Sequence, residues 1–457
     1  MINFAVDKIL HNPSLELFEQ DWAFTYNSNK KKTWPHLTSF SEYDDQPESF
    51  KHNCKKLSLD PLTHEARFGF RYIPYPNCTR HMGSLNDDSW GEFSNVYPNT
   101  DYFRFVDYLD QEKIPFRLWS VNEAPVDSFY PIGINTYHLN FDYFSEISEE
   151  ALVRVKENAL KILFFYHEAD NPYKIKKHLD TLAEKYGIAD QQIYFISGNT
   201  DADKLPNFYY FFDDEILFQN SIDKELRINF HKQKRSKKFT ALVRIHKLWR
   251  AIFMSELWKA DVYSQGYFSY NQITQDIKDT AITSQPFQRE YCEEKYKNIQ
   301  NFLAAGPFKA DDLSDIDHNS FETVVENHYA DSYFNVVVET HFRLESGHGT
   351  TLTEKILKPL CHNQFFVVVG PPHTLKELRK FGYKTFSRLI DESYDAIEDD
   401  QKRMDTVIDL CIDLASMPLD ELHNLYVNLQ PEITHNSKLF SESKKERLMQ
   451  LIDKLNQ

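Results

Sequence analysis

The pattern of apolar and polar residues changes at about residue 148. Beyond that point, short apolar runs alternate with segments in which apolar residues recur every three or four positions. Short apolar runs predict buried strands, and the longer period predicts amphipathic helices. The predicted strands are 161–167, 192–197, 208–212, 239–243, 333–339 and 365–369, and the predicted helices are 149–159, 173–186, 247–259, 287–303, 353–362, 373–381, 400–415, 418–428 and 440–456.

Strands that alternate with helices predict an α/β protein with parallel sheets. The alternation occurs on both sides of residue 231, and 457 residues are too many for one ordinary core, so two α/β domains are expected. Residues 1–147 are aromatic and irregular in period, with only a helix at 103–109 and a strand at 116–120 predicted. The expected division is an N-terminal domain 1–230 (irregular 1–147, α/β 148–230), a basic linker 231–238, a C-terminal domain 239–435 and a C-terminal helix 436–457.

The chain carries a formal net charge of −17, which disfavours nonspecific binding to nucleic acid or to anionic membranes. One segment departs from this balance, because five of the eight residues in 231–238 are Lys or Arg. This basic run is interpreted either as a solvated linker or as a basic rim that attracts a phosphorylated ligand or a polyanion. Glycine is scarce at 12 residues, and neither G-x-G-x-x-G nor G-x-x-x-x-G-K-[ST] occurs, which excludes the commonest nucleotide-binding loops.

The cysteines and the N-terminal residues bear on location. Five Cys without a C-x-x-C pair favour reduced thiols in a cytoplasmic protein over a disulfide framework. The first residues lack the basic segment followed by an apolar segment that marks a secretory signal. No apolar run approaches the roughly 20 residues that span a bilayer, so no membrane span is expected.

The most informative stretch has the features of a phosphate-binding site. A buried strand ends on a carboxylate, Glu339, and a helix begins near Thr353 with Glu354 and Lys355 in its first turn. Thr351 and Glu354 fit the S/T-x-x-E capping box. A helix start offers unpaired N–H groups and the positive end of the helix dipole, Lys355 adds a cation, and a carboxylate can accept both hydroxyls of a ribose. The alternative is that Glu354 only completes the capping box and that Lys355 is only a solvated residue.

Four short blocks occur in order along the chain. They are Tyr166-His-Glu-Ala-Asp-Asn-Pro172, then Tyr209-Tyr-Phe-Phe-Asp-Asp-Glu215, then Lys237-Lys-Phe-Thr-Ala-Leu-Val243 with Arg250-Ala-Ile-Phe253 and Leu257, and last Phe334-Asn-Val-Val-Val-Glu339 with Thr353-Glu-Lys355 and Val367-Val-Val-Gly370. In this order they resemble the motifs of the α-1,3-fucosyltransferase family: E-S-P-x-N, Y-x-x-x-F-D-E, K-F-x-x-F-V-x-S-N…R-x-x-F-F-x-x-L, and F-x-x-x-x-E-N followed by Y-V-T-E-K and an apolar strand that ends in glycine. The first 150 and the last 80 residues or so lie outside this resemblance.

The resemblance implies the GT-B fold, in which two Rossmann-like domains face a cleft, and an inverting glycosyltransferase that moves a sugar from a nucleoside diphosphate to a hydroxyl acceptor. It implies an acceptor-side N-terminal domain, a donor-binding C-terminal domain, a GDP- or UDP-sugar as co-substrate, and no required cofactor or metal. In the roles that it implies, Glu168 is the general base, Arg250 contacts the donor phosphates, Glu354 binds the ribose, Lys355 binds the diphosphate, and Glu339 lies near the transferred sugar.

The donor motif departs from the family's pattern at two places. The aromatic residue before V-T-E-K is Thr351 here, so stacking on the base or ribose is lost or supplied elsewhere, whereas Thr353 keeps the Thr of T-E-K. The S-N pair is replaced by Arg244 and Ile245, which places a further cation near the phosphates. These changes leave the base and the sugar of the donor open, so hexosyl, fucosyl and pentosyl transfer are all candidates.

Two other functions also stay open. One is a phage-type DNA glycosyltransferase acting on hydroxymethylated bases, which the basic run favours and the charge of −17 disfavours. The other is a non-catalytic nucleotide- or glycan-binding module. The expected partners are therefore a nucleotide-sugar donor and a glycan or other hydroxyl acceptor, with modified DNA as a further candidate, and the chain suits a bacterium or a phage.

Two segments resemble metal sites superficially. Asp213, Asp214 and Glu215 follow a strand, as the D-x-D motif of the other major glycosyltransferase fold does, but the order of elements favours a structural role. His341 and His348 lie seven residues apart in one loop, whereas a metal site needs three or more convergent ligands.

Overall fold

The chain folds as two compact α/β units. Unit 1 comprises Met1–Asp213 with Lys445–Gln457, and unit 2 comprises Asp214–Lys444. The computed structural model describes residues 2–6, 8–9, 70–71, 105, 108–109, 112–134, 137, 139–166, 169–213, 215–216, 234–243, 246–270, 289–310, 326–343, 350 and 352–457. Within these ranges, each unit is built around its own parallel sheet.

Unit 1 contains a sheet of six parallel strands in its described part, in the order β4-β1-β5-β6-β7-β8. A separate antiparallel pair joins β2 to β3. The strands are β1 (Ile2–Val6), β2 (Lys8–Ile9), β3 (Phe70–Arg71), β4 (Phe116–Ser120), β5 (Ser128–Ile134), β6 (Leu160–Tyr166), β7 (Ile193–Ser197) and β8 (Phe208–Tyr210). The α-helices of unit 1 whose bounds are described include α1 (Glu149–Lys156) and α2 (Pro172–Tyr186).

The strands at the centre of unit 1 are apolar along both faces. Every residue of β6 except Lys161 is buried, and all of β7 is buried. Such runs are typical of parallel strands that are covered on both sides. The helix α2 begins where Asn171 accepts hydrogen bonds from the backbone N–H groups of Tyr173 and Lys174, and it ends at Gly187 in the left-handed conformation. The predicted elements of residues 148–213 are confirmed to within a few positions.

Within residues 1–147, the predicted strand 116–120 is confirmed as β4, whereas β1 and β5 were not predicted. The strand β5 was missed because Pro131 and Gly133 interrupt its apolar pattern. Proline has no N–H to donate and is usually excluded from central strands. It is tolerated here because β5 pairs along its whole length with β6, whereas its pairing with β1 is confined to Phe4 and Phe129.

Unit 2 contains a four-stranded parallel sheet in its described part, in the order β10-β9-β11-β12. The strands are β9 (Lys237–Val243), β10 (Tyr267–Tyr270), β11 (Ser332–Val338) and β12 (Phe365–Val369). The helices are α3 (Leu248–Lys259), α4 (Arg289–Ala305), α5 (Glu326–Ala330), α6 (Glu354–Cys361), α7 (Thr374–Lys380), α8 (Asp400–Ser416), α9 (Leu419–Asn428) and α10 (Gln430–Glu442). The last helix, α11 (Lys444–Leu455), belongs to unit 1 from Lys445 onward. Among the described residues, no helix combines the length and hydropathy that a membrane span requires.

The basic run 231–238 contributes to unit 2 itself. The strand β9 begins at Lys237, inside the predicted linker. Arg235 is buried, and its guanidinium donates to the hydroxyl of Tyr426 and to the carbonyl oxygen of Tyr329. Lys238 donates to the carbonyl oxygen of Ala415 at 2.7 Å. These described members of the run therefore bind structural partners within unit 2.

The strand order places a crevice at one edge of the unit 2 sheet. After β9 the chain forms β10 on one side of it, and then β11 on the other side. In open parallel sheets, this reversal separates the loops at the carboxyl ends of the two neighbouring strands, and ligands bind in the gap. The residues that follow Val243 and Val338 are therefore those expected to meet a ligand.

Arg403 holds the carboxyl edge of this sheet together. Its side chain is 1% exposed and lies over the ring of Phe342, with the guanidinium carbon 4.4 Å from the ring centroid. Its guanidinium donates to the carbonyl oxygens of Phe342 at 2.7 Å, Gly370 at 3.2 Å and Ile397 at 2.8 Å. A single cation in α8 thus fixes the segments that follow β11 and β12.

Replacing Arg403 with Met is expected to lower the free energy of unfolding of unit 2 by about 3 kcal/mol, because these carbonyl oxygens lose their donor. Urea unfolding followed by fluorescence measures the loss. The control is Arg388→Met, which removes a partly exposed ion pair with Glu432 and should change the urea midpoint little. Equal midpoints for Arg403→Met and the unchanged protein would contradict the role of Arg403.

Candidate site at the carboxyl edge of the unit 2 sheet

The start of α6 is tied to the end of β11 by one threonine. Thr353 is the N-cap of α6, and its hydroxyl accepts a hydrogen bond from the N–H of Lys355 at 3.3 Å. The same hydroxyl donates to Oε2 of Glu339 at 2.6 Å. The predicted capping box of Thr351 with Glu354 is wrong, because the helix begins two residues later and Glu354 is its first residue.

Glu339 is a buried carboxylate at the end of β11. Its side chain is 1% exposed, and Oε2 also accepts from the N–H of Thr340 at 3.3 Å, whereas Oε1 has no hydrogen-bond partner among the described residues. Burial raises the pKa of Glu339, and the nearby cation of Lys355 and the hydroxyl of Thr353 oppose that rise. The carboxylate therefore lies beneath the crevice and organises the residues that line it.

Gly370 gives this carboxylate its space. A Cβ atom at Gly370 would lie 3.3 Å from both Cβ and Cγ of Glu339 and 3.2 Å from Cγ1 of Val368. These distances are tighter than ordinary van der Waals contact, so a side chain here would press on Glu339. The glycine that ends the apolar strand in the sequence motif thus has a packing explanation.

Lys355 and Glu354 stand at the partly exposed start of α6. Their side chains are 29% and 16% exposed, and Nζ of Lys355 lies 2.7 Å from Oε1 of Glu354. Nζ of Lys355 also donates to the hydroxyl of Thr340 at 3.2 Å. Lys355 therefore bridges the helix start and the segment after β11, at a position that solvent reaches.

Arg250 approaches the same segment from α3. It is 5% exposed, and Nη2 and Nε donate to the carbonyl oxygen of Glu339 at 2.7 and 3.3 Å. Its guanidinium lies 4.9 Å from the ring centroid of Trp249. Burial lowers the pKa of Arg250, although guanidinium groups stay charged in proteins.

Lys247 and His246, which lie outside the sequence motifs, complete the edge. Nζ of Lys247 donates to the carbonyl oxygen of Thr340 at 2.7 Å. His246 pairs through Nδ1 with the hydroxyl of Tyr270, and burial lowers the pKa of His246 to about 4. The available signal was spacing, because Lys247 precedes Arg250 by three residues at the start of a helix and shares its face.

The structure thus brings together five of the predicted site residues, namely Arg250, Glu339, Thr353, Glu354 and Lys355. Three others, Glu168, Arg244 and Thr351, lie outside the described residues.

The segment that follows Glu168 in unit 1 is well anchored. The hydroxyl of Tyr166 donates to Oδ2 of Asp170 at 2.5 Å. The amide of Asn199 donates to the carbonyl oxygens of Ala169 at 2.9 Å and of Asp170 at 3.3 Å. In the sequence, Glu168 comes two residues after the end of β6 and one residue before Ala169.

The two candidate metal segments differ from metal sites where the structure describes them. Glu215 is fully buried, and its Oε1 accepts from the hydroxyls of Tyr383 at 2.5 Å and Ser443 at 3.1 Å. His341 is exposed, while Asp214 and His348 lie outside the described residues. Within the described ranges, no three His, Cys, Asp or Glu side chains are grouped closely enough to hold a metal ion.

The chain matches no protein-family model, no curated protein and no solved structure. A function for it therefore has to be inferred from the chemistry of its own residues.

Thr353→Val is expected to lower the free energy of unfolding by about 2 kcal/mol, since it removes both the helix cap and the hydroxyl that donates to a buried carboxylate. Thr353→Ser is the matched control, because it keeps the hydroxyl, and it should cost less than half as much. Urea unfolding measures both variants. Equal losses for the Val and Ser variants would show that the hydroxyl does not hold Glu339.

Proposed function

We propose that the chain is a nucleotide-sugar-dependent glycosyltransferase whose unit 2 binds the nucleoside diphosphate of the donor at the carboxyl edge of its sheet. The observation that carries the proposal is the convergence of Arg250, Lys355 and the N-terminus of α6 on the Glu339–Thr340 segment, next to the point where the strand order reverses. In an acidic protein, this local concentration of cations calls for an anionic ligand.

The class of ligand is inferred from the positions of two cations, Arg250 and Lys355, and of the carboxylate of Glu354. Two cations on different elements suit the two phosphates of a diphosphate, because each phosphate needs its own donor. Glu354 is partly exposed beside Lys355, so it is placed to accept hydrogen bonds from a ribose next to that diphosphate. These are the roles that the resemblance to the α-1,3-fucosyltransferase family implies for the same residues, with GDP- or UDP-sugar as the co-substrate.

The proposal takes units 1 and 2 to be the two Rossmann-like domains of the GT-B fold, with the acceptor side in unit 1. It includes inversion at the sugar carbon. Glu168 accepts the proton of the acceptor hydroxyl while the oxygen of that hydroxyl attacks the anomeric carbon of the sugar. The bond between the anomeric carbon and the phosphate oxygen breaks in the same step. Arg250 and Lys355 then stabilise the charge that develops on the departing diphosphate.

Among the alternatives, glycosylation of modified DNA loses part of the feature that favoured it. Arg235 and Lys238 bind partners inside unit 2 and are withdrawn from any basic rim, whereas Lys234 is exposed and pairs with Asp420. A non-catalytic binding module stays as the competing proposal, because it would retain the same cations and lack only turnover.

A thermal-shift panel with GDP, UDP, ADP, CMP and dTDP, with and without magnesium, tests the proposed donor site. A ligand that binds the native state raises its unfolding temperature, so one diphosphate should give a selective rise. No rise with any of them at millimolar concentration would contradict the site. A rise that requires magnesium would contradict metal-independent binding.

Lys355→Ala is expected to weaken binding of the selected diphosphate by about 1.5–3 kcal/mol, the size of a charge-assisted hydrogen bond. Isothermal titration calorimetry measures the change. The control is Lys380→Ala, which removes another partly exposed lysine of unit 2 that pairs with Glu377. Unchanged affinity in Lys355→Ala would remove Lys355 from the site.

Glu168→Gln is expected to lower the rate of sugar transfer by about 10²- to 10⁴-fold and to leave donor binding unchanged, because the amide cannot accept the acceptor's proton. Glu184→Gln, an exposed position on α2, is the control. Unchanged transfer in Glu168→Gln would exclude this residue as the base. If the unchanged protein binds a donor and never turns it over, the binding module becomes the better proposal.

A further inference from the structure

Three cations from two helices, α3 and α6, converge on the two residues that follow β11. Lys247, at the start of α3, donates to the carbonyl oxygen of Thr340 at 2.7 Å. Arg250, one turn further along α3, donates to the carbonyl oxygen of Glu339 at 2.7 Å. Lys355, in α6, donates to the hydroxyl of Thr340 at 3.2 Å. These three side chains are called the cation cluster below.

The carboxylates nearby do not balance this cluster. Glu354 is paired with Lys355 at 2.7 Å, and Glu339 is buried beneath Thr353 with a raised pKa. Within the described residues, Lys247 forms no ion pair, and its half-buried ammonium donates to a neutral carbonyl group. A charge removed from water without an opposite partner is unfavourable, so the free protein carries an electrostatic cost at this position.

The helix dipole increases that cost. Lys247 is the N-cap of α3 and Arg250 lies in its first turn, and the first turn contains no acidic residue. Helix N-termini carry partial positive charge and favour anions, so two cations at this end repel both each other and the helix terminus. No side chain in the described part of the chain caps α3, which leaves its first N–H groups facing the same edge.

We propose that Lys247 is a further donor-binding residue, which together with Arg250 and Lys355 binds the phosphates of the nucleoside diphosphate. The inference rests on the proposed function, because it assigns a third cation to the same site. An anion in contact with all three side chains removes the repulsion among them, and it supplies the opposite charge that Lys247 does not find among the described residues.

The proposal has a consequence for proton uptake. Burial, with the positive charges of Arg250 and Lys355, lowers the pKa of Lys247 to about 8. A bound anion opposes that depression, so Lys247 gains a proton when a phosphate binds near pH 8. The neighbouring groups His246 and Tyr270 are neutral at this pH, because burial lowers the first pKa and raises the second.

Among the described residues, the remaining charged neighbours of Lys247 are Arg250, Lys355, Glu354 and Glu339. The guanidinium keeps its charge at pH 8. Proton uptake by Glu339 would fall as the pH rises, because a carboxylate is protonated most readily in acid. Proton uptake by Lys247 rises with pH, because its amine loses its proton only in alkali. Uptake that grows from pH 6.5 to pH 8 therefore reports on Lys247.

Calorimetric titration of the full chain with GDP, UDP and inorganic pyrophosphate tests this inference. Repeating each titration in buffers that differ in ionisation enthalpy gives the number of protons taken up. The phosphates of the probes also titrate, with a pKa of about 6, so the uptake that reports on Lys247 is the difference between the unchanged protein and Lys247→Arg. With a pKa of about 8 for Lys247, that difference should be roughly half a proton at pH 8 and almost none at pH 6.5.

Two variants separate charge from titration. Lys247→Arg keeps the cation and should retain binding while the proton uptake at pH 8 disappears, because an arginine does not titrate there. Lys247→Met should weaken binding about 10- to 100-fold at pH 7. Lys259→Met, at the far end of α3 and largely exposed, is the control and should bind like the unchanged protein.

The unfolding temperature without ligand distinguishes a binding residue from a structural one. Since Lys247→Met removes a repelled charge, it should not lower this temperature at pH 7. A lower unfolding temperature combined with unchanged affinity would mean that Lys247 only stabilises the fold, and the inference would be wrong.

The probes also separate this inference from the proposed function. If a nucleotide binds without proton uptake and Lys247→Met binds as well as the unchanged protein, the donor site stands and Lys247 lies outside it. A different outcome is that only pyrophosphate binds, and that the proton uptake by the protein on binding depends on Lys247. The cation cluster is then a phosphate site, and the nucleotide assignment is wrong. If none of the three probes binds, both proposals fail.

Discussion

A carboxylate buried at the end of a parallel strand is the constraint on which the unit 2 site depends. Removing Glu339 from water is costly, and the structure offsets that cost with the hydroxyl of Thr353, the N–H of Thr340 and a nearby cation. Two of these interactions also fix parts of the fold. Thr353 is the N-cap of α6, and Thr340 accepts hydrogen bonds from Lys247 and Lys355. The backbone of Glu339 also accepts from Arg250, so α3 is held to the same point. One buried acid therefore sets the positions of two helix starts.

This arrangement holds Lys247, Arg250 and Lys355 close together, so that their positive charges repel one another at the place where a ligand is proposed to bind. A protein selected only for stability would place acids at the start of α3 and would pair Lys247 with a carboxylate. The chain has 17 more acidic than basic residues, so suitable partners are plentiful elsewhere in it. Keeping cations together in such a chain is the pattern expected of a binding site, in which the ligand supplies the missing charge. The same reasoning explains why the overall acidity says little about the class of ligand.

The sequence predicted the elements that are apolar on both faces and missed those whose pattern is interrupted. The strand β12 was predicted with its observed bounds because five consecutive apolar residues end at Gly370. The strand β5 was missed because Pro131 and Gly133 break its run, and β10 because four residues carry too short a pattern. At the site, Thr353, Glu354 and Lys355 were predicted from their motif. Lys247 was not, because a lysine before a helix resembles a solvated residue until the chain folds it against Thr340.

The contacts of Glu339 and Lys355 make the acid and the cation interdependent. Both bind Thr340 and Thr353, so a change in the charge of one alters the hydrogen bonds of the other. An anion beside Lys355 weakens the electrostatic stabilisation that Lys355 gives to the Glu339 carboxylate, and so it disfavours the ionised form of Glu339. The carboxyl group would then hold its proton more tightly, and repulsion between it and the bound phosphates would fall. A buried acid with a raised pKa is thus compatible with a phosphate site, because burial and a bound anion shift its pKa in the same direction. An exposed aspartate or glutamate at the same place would stay charged and oppose binding.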